Sequence, residues 1–112
     1  MQTIMNFDPK EVRLIDFMKA LGQEHPVAAD GDLRIYFAPY ADEHKPTMVV
    51  NIVSNLWRDT KTGAYGNIYD LAYEMTGSCN RSELNQYIAT EMSALQKIEM
   101  RQQNYNSNKL KL

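Results

Sequence analysis

The chain has 112 residues, enough for one domain with one modest core, and its 44% hydrophobic and 23% charged residues exclude a globally disordered polypeptide. A net charge of −2 and a pI near 5.6 exclude a broadly basic nucleic-acid binder and leave a local patch as the electrostatic route to DNA. One cysteine, Cys79, rules out an internal disulfide, and with His25 and His44 it cannot supply the four closely spaced ligands of a structural zinc site.

Taken in chain order, the sequence ahead of Asp8 shows no basic region followed by an apolar core, so no signal peptide is read there. No apolar run approaches the roughly 18 residues of a membrane span, and a cytoplasmic location is the expectation. Asp8, Pro9 and Glu11 have the spacing of a helix start, and Val12, Leu14, Ile15, Met18 and Leu21 recur at helical intervals. The spacing predicts one helix from Asp8 to Leu21, ended by Gly22. Leu33, Ile35 and Phe37 alternate with Arg34 and Tyr36, which predicts a half-buried strand with the last two residues on its open face. Pro39 to Pro46 reads as a loop. Met48 to Val53 and Leu56 to Asp59 read as a hairpin joined at Ser54-Asn55, and Thr60 to Gly66 as a second loop. Asn67 opens another helix with Ile68, Leu71, Ala72 and Met75 on its buried face and Gly77 at its end. Asn80 and Glu83 form a capping pair ahead of a long helix carrying Leu84, Tyr87, Ile88, Met92, Leu95 and Ile98. The fold class expected is α+β, a small antiparallel sheet flanked by helices. One domain is expected over 1–102, with 103–112 a polar, flexible tail. Lys109 and Lys111 in that tail read as a solvated end or, alternatively, a weak nucleic-acid or partner-binding arm.

The stretch Tyr36-Phe-Ala-Pro-Tyr-Ala-Asp-Glu-His-Lys-Pro-Thr-Met, followed by the hairpin and by Asp59-Thr-Lys-Thr-Gly-Ala-Tyr-Gly-Asn-Ile-Tyr-Asp70, resembles the N-terminal zinc-ribbon domain of bacterial DnaG-type DNA primases. That family carries Cys-Pro-Phe-His, then Glu-Lys-Thr-Pro-Ser-Phe, then a strand, then Cys-Phe-Gly-Cys-Gly. The resemblance covers roughly Arg34 to Leu84 and includes Tyr36, Pro39, Glu43, Pro46, Thr47, Val50, Asn51, Gly63, Gly66, Asp70 and Gly77. It departs from the family at the metal: Ala38, Ala41, Asp59 and Thr62 stand at the four ligand positions. The resemblance therefore implies a degenerate zinc ribbon with neither metal nor cofactor. Ala38 and Ala41 are expected to pack where ligands and ion would lie, with Trp57, Tyr40 and Tyr65 adding apolar surface. Asp59 and Thr62 are expected to bond to loop backbone.

No phosphate loop, His-Glu-x-x-His helix or triad spacing is present, and Asp42-Glu43-His44 reads as solvated loop charge rather than an acid–base site, so no catalysis is expected. In the primase family this module meets single-stranded template through an exposed sheet face and nearby loops. Carried onto this chain, that implies Arg34, Tyr36, Lys45, Arg58 and Lys61 as DNA-binding residues in replication or a mobile genetic element. Trp57 is read as core, with base stacking as its alternative. The other reading is a module that docks a replication protein, such as a primase or helicase, and no longer binds DNA. Asp32, Asp42, Glu43 and Asp59 offset the local cations and favour it.

Overall fold

The computed structural model describes the backbone of residues 8–42 and 45–111 and the side chains of 8–42 and 45–96. The expected first helix is divided in two. Pro9–Glu11 forms a single 3-10 turn, entered through Asp8, whose carboxylate accepts from the Lys10 N–H. Val12 and Arg13 are then extended, and helix α1 runs from Leu14 to Ala20. The cause is distant in sequence. Asn55, at the tip of a hairpin, accepts from the Leu14 N–H (2.8 Å) and donates to the Val12 carbonyl (3.0 Å). The Asn55 amide takes backbone groups that a continuous helix would have used for itself.

Strands β1 (Ala28–Asp30), β2 (Leu33–Tyr36), β3 (Met48–Asn51), β4 (Leu56–Asp59) and β5 (Tyr65–Gly66) form one antiparallel sheet in sequential order. β1 and β5 were not legible as periodic segments, because three and two residues carry too little alternation. β3 ends at Asn51 rather than Val53, since Asn51 Oδ1 accepts from the N–H groups of Val53 and Ser54 and closes the turn. Helix α2 (Ile68–Thr76) has the expected capping box between Asn67 and Asp70 and ends on left-handed Gly77 (φ 77°). Helix α3 (Arg81–Lys111) starts with Asn80 Oδ1 accepting from the Glu83 N–H. Its helical backbone continues through the polar stretch read from the sequence as a tail.

Register divides the sheet into two faces. Arg34, Val50, Trp57 and Gly66 lie in one cross-strand row, with Tyr36, Met48 and Asp59 in the next. This is the inner face. Tyr36, Met48, Val50 and Trp57 are buried against Leu14, Phe17 and Met18 of α1, Ile68, Leu71 and Ala72 of α2, and Leu84 and Ile88 of α3. Phe17 meets Tyr87 edge to face at 6.2 Å. The described residues form an α+β fold in which three helices cover one side of the sheet and, among those residues, none covers the other.

That arrangement reverses one expectation. Arg34 and Tyr36 do share a face, but it is the covered one, and Leu33 and Ile35 point the other way. A tyrosine ring fills the space between sheet and helices, whereas the aliphatic side chains remain only half-buried outside. Among the described residues no helix is long and apolar enough to cross a membrane.

Candidate nucleic-acid interface

Two places answer to the residues singled out in the sequence. The first is the corner where the resemblance would place a metal. Ala38 is buried at the start of a tight turn in which the Ala41 N–H reaches the Ala38 carbonyl (3.2 Å). Ala41 itself is exposed, so only one of the two alanines packs inward. Asp59, 2% exposed, sits across from this turn at the end of β4. Its Oδ2 accepts from the Tyr40 hydroxyl at 2.5 Å, and its Oδ1 accepts from the N–H groups of Lys61 (2.8 Å) and Thr62 (3.3 Å). Thr62 Oγ1 in turn accepts from the Ala64 N–H. Both polar residues thus bond to the loop backbone as expected, and the Tyr40–Asp59 hydrogen bond ties the two loops together. Tyr40 also leans on the Trp57 ring at 6.0 Å. Tyr65, expected to help cover this corner, is instead 74% exposed on the opposite side of the sheet.

Burial pushes the Asp59 carboxyl up, but the Tyr40, Lys61 and Thr62 donors outweigh burial and hold it below its ordinary value. The Thr47 hydroxyl adds to the lowering. It makes no aligned hydrogen bond among the described residues, yet lies close enough to favour the carboxylate. A carboxylate already accepting three hydrogen bonds, beside two alanines and a threonine, is not a ligand set for zinc. Among the described residues no group of three or more His, Cys, Asp or Glu side chains converges. Glu43 and His44, two thirds of the acidic–histidine run in the sequence, lie outside the described residues.

The second place is the open face of the sheet. Its central row runs Ala28, Ile35, Val49, Arg58, Tyr65, each directly opposite the next across all five strands. The neighbouring row is Asp30, Leu33, Asn51, Leu56. Leu33, Val49, Asn51, Leu56 and Arg58 line a shallow depression of about 460 Å³. Arg58 makes no hydrogen bond or ion pair among the described residues and stands beside the exposed ring of Tyr65.

Of the five residues proposed from the sequence, Arg58 alone lies on this face. Tyr36 is in the core, where a stacked base cannot reach it, and burial pushes its hydroxyl pKa up. Arg34 is on the inner face near the sheet edge, donating to the carbonyls of Gly31 and Leu33. Lys45 and Lys61 are exposed on the two loops. Trp57 is core, 2% exposed, its indole N–H donating to the Asn67 carbonyl at 2.8 Å. Tyr65 and Asn51 were missed as surface residues. For Asn51 the signal available was hairpin parity, which puts it on the face opposite Trp57 once Trp57 is taken as core; Tyr65 lies in the two-residue β5, which carries no pattern to read.

No protein-family model matches the chain, and a comparison with curated proteins finds no match.

Proposed function

We propose that the chain is a non-catalytic module that binds single-stranded DNA on the open face of its sheet, in replication or in the service of a mobile genetic element. The observation that carries this reading is the Arg58–Tyr65 pair. Directly opposed residues on an antiparallel ladder have Cβ atoms about 4.5–5.5 Å apart, so a guanidinium and an exposed ring rise together from an aliphatic floor. A ring stacks on a base, worth about 1–3 kcal/mol, while an adjacent cation meets the phosphate. The resemblance to the primase module points to the same ligand and to the same kind of surface.

The charge balance sets the character of the binding. With Arg58 on the face and the exposed Lys45 on the loop ahead of β3 both engaged, about two phosphates are neutralised, giving a salt slope of about −1.4 for a single strand. Binding is therefore expected to be led by stacking and only weakly salt-dependent. Anisotropy titration of a labelled oligothymidylate over a salt series tests this. Tyr65→Ala and Arg58→Ala should each weaken binding while leaving the melting temperature unchanged. No saturable binding at low salt, or native affinity in both variants, sinks the proposal.

A second reading has its own observation. Leu56, Val53 and Val27 are 48%, 73% and 51% exposed. These are aliphatic groups of the kind that dock a protein surface, here a replication protein such as a primase or helicase. A chain that ignores oligonucleotides but binds such a protein, and loses it on Leu56→Asp, would fit that reading instead.

A further inference from the structure

The open face contains one polar group whose orientation is fixed by the fold. Asn51 Oδ1 accepts two backbone hydrogen bonds, from the N–H of Val53 (2.9 Å) and of Ser54 (3.0 Å). The amide cannot flip without setting its NH2 group against both donors. The remaining capacity of the side chain is then its Nδ2, which offers hydrogens and no lone pair. Asn51 stands between Leu33 on one neighbouring strand and Leu56 on the other, and all three line the depression. Arg58, two residues along β4 from Leu56, adds further donors and no acceptor.

Among the described side chains that line the depression or share the Asn51 row, the acceptors are remote from Asn51. Thr60 Oγ1 spends its proton on the Thr47 carbonyl and offers lone pairs. It lies four residues from Leu56 along the chain, about 13 Å in extended strand. The Asp30 carboxylate is two strands away in the same row, about 9–10 Å. The end of the depression walled by Leu33 and Leu56 therefore has apolar side chains at its sides and a side-chain donor, Asn51 Nδ2, between them.

The geometry points to a base-discriminating subsite here: Asn51 Nδ2 donates to the ring carbonyl of an unpaired keto base, O4 of uracil or thymine, held between Leu33 and Leu56. This rests on the single-strand reading above and deepens it. Cytosine presents an amino group at the same position, so two donors face each other and the hydrogen bond is lost. A cavity of about 460 Å³ falls in the range that takes small ligands.

Oligodeoxyuridine and oligodeoxycytidine of equal length differ at that position and in the proton on the adjacent N3, without the thymine methyl group. Anisotropy titrations of the native protein with both, at one low salt concentration, test the inference. Oligodeoxyuridine is expected to bind about three- to tenfold more tightly, the worth of one net hydrogen bond. Asn51→Asp keeps an acceptor for Val53 and Ser54 but removes the donors, and a carboxylate accepts from the cytosine amino group, so the preference for oligodeoxyuridine should vanish or reverse, whatever happens to absolute affinity. Should that variant not fold, the side-chain amide resonances of Asn51 in the native protein serve in its place. They should shift with oligodeoxyuridine and not with oligodeoxycytidine. Equal affinity for the two strands overturns the subsite and leaves the DNA reading standing. A preference that survives Asn51→Asp, or Asn51 resonances that do not move, also overturns it. Binding of neither strand removes both.

Discussion

Asp59 joins two loops with hydrogen bonds, tying the turn after β2 to the end of the β3–β4 hairpin. Because its pKa is lowered in the folded chain, the charged form is the one that folding favours. The stability this contributes is complete above the ordinary aspartate value of 3.8 and is lost as pH falls from there through the lower folded value. Urea denaturation across acidic pH should show that loss. Asp59→Asn should flatten it and lower stability at neutral pH by about 1–3 kcal/mol, since an amide has one acceptor for donors that had two. An unchanged acid profile would mean that other carboxylates control it. Half of this corner was legible in the sequence. The contacts of Asp59 with Lys61 and Thr62 are local and follow from turn chemistry. Tyr40 was read only as apolar surface, because its partner lies 19 residues away and only the tertiary fold brings a phenol to a carboxylate.

At the scale of elements, periodicity identified β2, the hairpin, α2 and the start of α3, since each carries a pattern or a cap of its own. It did not say which side of the sheet the helices would cover. Leu33, Ile35 and Phe37 outweigh Arg34 and Tyr36 in hydrophobicity, yet the covered side is settled by the neighbouring strands. There Met48, Val50 and Trp57 share a face with Tyr36. The candidate site inherited that error, and Tyr36 entered the core while Asn51 and Tyr65 came to the surface. The break in the first helix was also hidden, because Asn55 acts on residues more than 40 positions earlier. Asn55 adopts a left-handed backbone (φ 59°), which asparagine tolerates better than alanine. Asn55→Ala removes both hydrogen bonds and should destabilise the fold by about 1–3 kcal/mol. In hydrogen exchange the Leu14 amide should lose protection first. If Leu14 keeps its protection, the two bonds are not what holds α1 in place.

For the molecule as a whole, the described side chains of α3, which end at residue 96, put Leu84 and Ile88 in the core and Tyr87 and Met92 against it. Removing 103–112 should therefore leave a cooperative melt. If DNA binds at the sheet, truncation should also leave affinity and salt slope as they were. A slope shallower by about 0.7 per lost contact would instead make Lys109 and Lys111 a second arm. The order of the strands reaches further than stability. Each strand pairs with its neighbour in sequence, so the sheet can assemble through sequence-local pairings. The clamp of Asn55 on Val12 and Leu14 spans 43 and 41 residues and has to wait for that assembly. Its bonds should be absent from the folding transition state. Stopped-flow measurements on Asn55→Ala should then find the refolding rate almost unaltered and the unfolding rate raised, which makes this one side chain a brake on opening rather than a guide to folding.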